Sequence, residues 1–239
     1  MIGSRPAARR RPRDEAERPF WISFADLMTA LMVLFLVVMG VALLAVTKNV
    51  TERERQEEQH RQEIEAVLDR FSQAASRYDG VEIDLQRRVI DFGDRARFPF
   101  GRSTLTVEQE TLLRRFVPEI IALANDGVGQ RVLKRLVVEG YTDSSGTYLG
   151  NLNLSLQRSE RVLCAMFAST GPSLLSEEQK EAVRRLFLIG GFSSNAARDS
   201  ADASRRVEMR LEFLGYGELR PATAADDAAR GNFGECALK

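Results

Sequence analysis

One carboxylate, Asp26, sits inside the only membrane-length apolar run of the chain. Residues 20–46 read FWISFADLMTALMVLFLVVMGVALLAV, with no other charge. An ionisable group at that depth is costly unless it faces protein or water, so it marks an ion or proton path. Low dielectric favours the neutral carboxyl and raises its pKa toward neutrality. Such a group can load a proton on one side and release it on the other, driven by about 2.3 kcal/mol per unit charge per 100 mV. Ser23 and Thr29, each three residues away, are candidates to hydrogen-bond around it. The alternative is an interfacial acid that only marks where the helix enters the membrane. A single carboxylate makes no channel, so an ion path requires partner helices that shield Asp26 from lipid.

A second constellation follows more than a hundred residues later. Gly140-Tyr141-Thr142-Asp143-Ser144-Ser145-Gly146 precedes Asn151-Leu152-Asn153-Leu154-Ser155-Leu156-Gln157-Arg158. Asp143 ends a predicted strand and can accept from an ammonium. Arg158 lies near the start of a predicted helix and can hold a carboxylate in a bidentate fork. Together they suit a zwitterionic ligand. The alternative is a salt bridge between the two that fixes loop to helix.

Elements must place these groups. Leu27 to Val46 is 20 residues without a charge, roughly 30 Å of helix, one hydrocarbon thickness. A cleaved signal would have a shorter apolar core and a small-residue cleavage site, so this run is read as a retained transmembrane helix spanning 20–47, with Phe20 and Trp21 at the near interface. Residues 1–19 carry six arginines (Arg5, Arg9, Arg10, Arg11, Arg13 and Arg18) against three acids. The positive-inside rule places this Pro/Arg-rich tail in the cytoplasm and the remainder in the periplasm; no nucleic-acid partner is assigned to it. Lysine plus arginine and aspartate plus glutamate both number 34, so net charge names no partner.

Residues 48–80 are expected to be a helical linker, polar through TERERQEEQHRQ. Ile64, Leu68, Phe71, Ala75 and Tyr78 then recur at alternating steps of four and three, the seam of a short coiled coil. The seam is read as a homodimer contact, with packing on the following domain as the alternative. His60, the sole histidine, is read as a solvated helix residue.

Residues 81–214 pattern as a compact α+β domain, a mixed sheet packed against helices. Strands are expected at 81–85, 89–92, 133–139, 186–192 and 207–213. Helices are expected at 106–125, at 152–169 and from the cap Ser176 through Arg185. The stretch 142–150 is a polar loop, 195–204 an exposed connector, and 215–239 a weakly patterned tail. Two cysteines remain, Cys164 and Cys236. In a periplasmic setting a disulfide is permitted, worth about 4 kcal/mol for a long loop. A buried Cys164 with an unpaired Cys236 is the equal alternative. The sequence holds no nucleophile–base pair and no metal-ligand cluster, so neither an enzyme nor a metal or cofactor is expected.

Residues 21–32, W-x-S-F-A-D-L-M-T-x-L-M, resemble the membrane segment of flagellar stator B subunits, the MotB/PomB group, whose logic ExbD and TolR proteins share. The resemblance implies that Asp26 couples to protons or sodium and that a B dimer sits inside a ring of MotA-like subunits. Residues 88–214 resemble OmpA-like peptidoglycan-binding domains. The glycine-tyrosine and N-x-x-L-S-x-x-R motifs carry that resemblance, with Phe98-Pro-Phe-Gly-Arg-Ser-Thr-Leu105 upstream and Ser204-Arg205-Arg206-Val207-Glu208 downstream. Ser204 replaces the usual asparagine. This resemblance implies that Asp143 and Arg158 grip the diaminopimelate side chain of peptidoglycan, with Asn151 and Leu154 at further site positions. The polar stretch past the membrane lacks the amphipathic plug of flagellar subunits, and the linker is short. That layout is most similar to the B subunits of Zorya anti-phage systems, which implies a ZorA partner. The flagellar-type stator and a passive wall-to-membrane tether are the alternatives.

Overall fold

The computed structural model describes residues 17–220 and 231–238. Most of the arginine-rich tail, with Arg5 through Arg13, and part of the C-terminal tail lie outside the described residues. The chain divides into two units, Met1–Gln56 and Glu57–Lys239.

The first unit holds most of the apolar part of helix α1, Glu17–Ala75. Every described side chain from residue 23 to 50 is exposed. A helix apolar on all sides is stable only where lipid or other helices surround it, and this one is long and apolar enough to cross a membrane. The polar stretch 51–62 continues the same helix without a break. Thr47 and Thr51 lie along it, donating their hydroxyls to the carbonyls of Leu43 and Thr47 one turn back.

The second unit is an α+β domain. After α1 come β1 (Glu82–Asp84), β2 (Val89–Asp91), α2 (Val107–Asn125), α3 (Gly129–Val132), β3 (Leu133–Gly140), α4 (Tyr148–Phe167), α5 (Glu177–Leu186), β4 (Phe187–Gly191), α6 (Ala201–Ser204) and β5 (Val207–Phe213). The five strands form one sheet in the order β1-β2-β5-β3-β4. Only β3 and β4 are parallel; the other pairs are antiparallel. Capping boxes open two helices: Thr106 and Gln109 on α2, Ser176 and Gln179 on α5, each satisfying donors that a helix start leaves unpaired.

The sheet's two faces differ in chemistry. Leu136, Val138, Val207, Met209 and Leu211 point with Phe116 and Ile120 of α2 into the apolar core. On the other face Glu139 and Glu208 stand directly opposite across β3 and β5, both buried. Like charges so placed repel. Arginines neutralise them: Arg210 forks onto Glu139, and Arg206, Arg198 and Arg87 converge on Glu208.

Three expectations change here. The seam Ile64, Leu68, Phe71 and Ala75 is covered by the domain's own core, not by a second copy. Tyr78, past the helix end, stacks edge-on against Phe116 and donates to Glu119. A four-three spacing fixes which helix face is apolar but not what covers it. His60 is half-buried, its Nε2 within 2.8 Å of the Leu214 carbonyl oxygen, rather than solvated. Helix α4 starts at Tyr148, four residues before the expected Leu152. Gly150 reads as loop, yet the Thr147 hydroxyl caps the helix by accepting from its N–H.

The tail is also engaged. Arg220 donates to the carbonyls of Leu133, Ala124 and Gly129. Cys164 and Cys236 are bonded, with Cα atoms 5.4 Å apart, and Phe233 packs on Phe167.

Candidate functional site

Strand β3 delivers the chain to a loop, residues 141–147, that turns back into α4. The two elements touch. A methyl group on Gly140 would lie 1.9 Å from the Ser155 carbonyl oxygen. Only glycine permits that approach, which brings α4 against the end of the sheet and sets Arg158 under Tyr141.

Around this junction a cavity of about 220 Å³ opens, lined by Phe100, Thr142, Asp143, Leu154, Arg158 and Arg205, among others. Larger hollows lie along α5 and beside the disulfide. The sequence-predicted residues Asp143, Asn151, Leu154 and Arg158 converge on this smaller one. Asp26 belongs to the other unit. Its neighbour Thr29 donates to the Ala25 carbonyl one turn back.

Asn151 is a positioning residue. Its Nδ2 donates to the carbonyls of Asp143 and Ser145, at 3.2 and 2.9 Å, so α4 holds the loop in shape. Asp143 accepts the Ser145 N–H on Oδ1 at 2.9 Å. Its Oδ2 accepts from Arg205 at 3.0 Å. The pairing with Arg158, the alternative raised from the sequence, does not form; Arg205 takes that place. Burial pushes the Asp143 carboxyl up, but the Ser145 N–H and Arg205 outweigh it and hold the group below the usual carboxylate range.

Arg158 is fully buried. Its Nε donates to the Arg102 carbonyl at 3.0 Å, Nη1 to Tyr141 at 2.6 Å and Nη2 to Pro99 at 3.4 Å, and the guanidinium lies 5.0 Å over the Phe98 ring. Burial, followed by repulsion from Arg205, pulls its pKa down to about 10, with Asp143 acting the other way. It remains a cation at neutral pH, set in the floor among carbonyl dipoles.

Arg205 is the site residue that the sequence reading did not single out. It appeared there only as a member of the downstream strand motif. Its Nε donates to the Phe98 carbonyl at 3.1 Å and Nη2 to Asp202 at 2.7 Å, while Phe98 N–H donates to the Arg205 carbonyl at 2.8 Å. Its position just before β5 and beside the Phe98–Leu105 loop was the available signal. Ser204, the departure from the usual asparagine, does not line the cavity. It is buried, accepts the Arg198 N–H and donates to the Ser200 carbonyl, closing the turn of α6.

With one carboxylate and two guanidinium groups, the cavity presents both signs of charge and a net positive excess. That arrangement can bind a small group carrying an ammonium and a carboxylate.

Known proteins resemble the chain in part or over most of its length. Residues 7–52 match a family described as membrane MotB of the proton-channel complex MotA/MotB. Over 223 residues the chain is 42% identical to the Zorya protein ZorB of Escherichia coli O139:H28 (strain E24377A / ETEC), spanning 92% of this chain and 91% of that protein. Among solved structures, a putative MotB-like protein from Desulfovibrio vulgaris is 18% identical with a TM-score of 0.40, over 66% of this chain and 97% of that one. The cell wall anchor of the T6SS from Pseudomonas aeruginosa is 22% identical with a TM-score of 0.36, over 59% and 94%.

Proposed function

Because the chain belongs to the ZorB family, we propose that it is the ion-driven, wall-anchored B subunit of a membrane motor in anti-phage defence. The observation that carries the proposal is the 42% identity to ZorB over 92% of the chain, since that span includes both the membrane helix and the charged cavity.

In this reading the chain sits in the bacterial inner membrane, N-terminus in the cytoplasm and α+β domain in the periplasm. Asp26 takes and releases the coupling ion, a proton, while a MotA-like ZorA ring and a second copy of the helix screen it from lipid. The cavity of Asp143, Asn151, Leu154 and Arg158 holds the peptide stem of peptidoglycan. The wall then supplies the reaction force against which the ring turns. The chain itself breaks no bond. The exposure of the apolar run around its whole circumference supports a helix that needs such neighbours. The opposed charges in the cavity support a zwitterionic stem.

Two measurements test the pairing of functions. Purified full-length protein is expected to co-sediment with isolated sacculi, and Leu154→Trp, which fills the cavity, is expected to stay in the supernatant. Cells carrying Asp26→Asn are expected to lose phage protection while the protein still reaches the membrane. Protection at the wild-type level would reduce the chain to a tether; sedimentation of Leu154→Trp would move the wall contact elsewhere.

A further inference from the structure

The hollow along α5, about 370 Å³, differs in chemistry from the Asp143 cavity and shares no residue with it. Four cationic side chains line it, Lys134, Arg135, Arg185 and Arg220, and among the described residues no acid does. Ala182, Leu186 and Leu188 give it an apolar side.

Backbone irregularity brings two of these cations together. Neighbours on a regular strand point to opposite faces, so Lys134 and Arg135 would not share a hollow. Here the pairing of β3 with β5 slips. Leu133 faces Phe213 and Arg135 faces Glu212, which leaves Lys134 as an extra residue. Such a bulge re-aims side chains, and bulges gather beside functional sites. The last turn of α5 brings Arg185. The segment after β5 brings Arg220, whose Nε donates to the Leu133 carbonyl at 3.0 Å and whose Nη2 reaches those of Ala124 and Gly129 at 3.3 and 3.2 Å.

The charges of the hollow do not balance. Lys134 pairs with Glu218, and Arg135 with Glu212 at 2.6 Å. Arg185 and Arg220 have no carboxylate partner among the described residues; Glu181, one turn before Arg185, is held by Arg184 at 2.6 Å. Burial pulls the Arg220 guanidinium below its ordinary range, and no acid acts the other way. A cation withdrawn from water is normally paired.

We propose that this hollow is an anion site that binds a phosphate monoester carried on an organic group. Two uncompensated positive charges match the roughly two negative charges of a monoester at neutral pH, where a carboxylate supplies one. Guanidinium forks suit phosphate oxygens. The apolar side of Ala182, Leu186 and Leu188 takes the carbon skeleton. Glu218 competes with the ligand for Lys134 from the rim.

The test is titration calorimetry of full-length protein in detergent with N-acetylglucosamine 6-phosphate and with dihexanoyl phosphatidic acid, against acetate at equal ionic strength. At least one ester is expected to bind about tenfold or more tighter than acetate, the worth of one charge-assisted hydrogen-bonded contact. Preference for the sugar ester assigns a glycan-borne phosphate, and preference for phosphatidic acid a lipid headgroup. Arg185→Gln, at an exposed position, is expected to weaken the ester about tenfold while sacculus co-sedimentation stays at the wild-type level. Glu218→Gln frees Lys134 and is expected to tighten the ester by up to about fivefold, the worth of an exposed ion pair. A variant that merely loosened the fold would not gain affinity. Acetate bound as tightly as both esters, or no ester bound at all, would overturn the proposal. Undiminished ester binding in Arg185→Gln would overturn it as well.

Discussion

Phe71→Ala decides what the second half of the long helix is for. Phe71 is completely buried, together with Ile64, Val67, Leu68 and Ala75, in the core of the α+β domain. Truncating such a ring removes its transfer energy and leaves a cavity, at a cost of about 3–5 kcal/mol. Against a typical domain stability of about 5–15 kcal/mol, that is about a fifth or more of the total. The assay is urea unfolding of residues 57–239, the compact unit, at two protein concentrations a factor of ten apart. If the seam belongs to one chain, both proteins unfold at midpoints independent of concentration, and the variant's midpoint falls sharply. If the seam is a dimer contact, tenfold dilution shifts the wild-type stability by about 1.4 kcal/mol. A loss below about 1 kcal/mol in the variant, or a wild-type midpoint that moves on dilution, would refute the intrachain assignment.

Three further outcomes follow from the same geometry. Cys164→Ser is expected to lower stability by about 4 kcal/mol, because the bridge closes a separation of 72 residues; a count of two free thiols in the unreduced wild type would contradict the bond. Gly140→Ala sets a methyl group 1.9 Å from the Ser155 carbonyl, so it is expected to cost at least about 1–3 kcal/mol and to abolish sacculus binding by shifting α4; binding at the wild-type level would show that the junction is looser than described. Asp143 is held below its ordinary range in the folded protein, so its stabilisation is present above the unfolded value of about 3.9 and is lost as pH falls through the folded value. Asp143→Asn should therefore flatten the acid limb of a urea-midpoint titration between neutrality and strong acid, and identical limbs would deny Asp143 that role.

Much of the domain could be read from local chemistry. The strand at 133–140 is a run of buried-type residues stopped by Gly140. The start of α2 is written in Thr106 and Gln109, whose side chains cap each other's backbone. Asp143, Asn151, Leu154 and Arg158 come together because two short motifs flank one tight strand-to-helix turn. Other features depended on distance in the sequence. Asp143 chooses Arg205, 62 residues away, over Arg158, because the buried Arg158 is already taken by carbonyls that no pattern reveals. The seam of α1 looked the same whether a second helix or a domain covered it. The start of α4 was hidden by Gly150, whose poor helix propensity is offset by one hydroxyl. The opposed glutamates Glu139 and Glu208 become visible only when strand register places them side by side.

Ion conduction through the assembled complex bears on the motor itself. The full-length chain would be co-expressed with a MotA-like subunit, the partner proposed above, reconstituted in vesicles, and followed with an internal pH dye under an imposed membrane potential. The account predicts proton entry with the wild-type chain and none with Asp26→Asn at equal incorporation. Equal proton entry with both chains would show that the carboxylate is a bystander and that the current runs elsewhere.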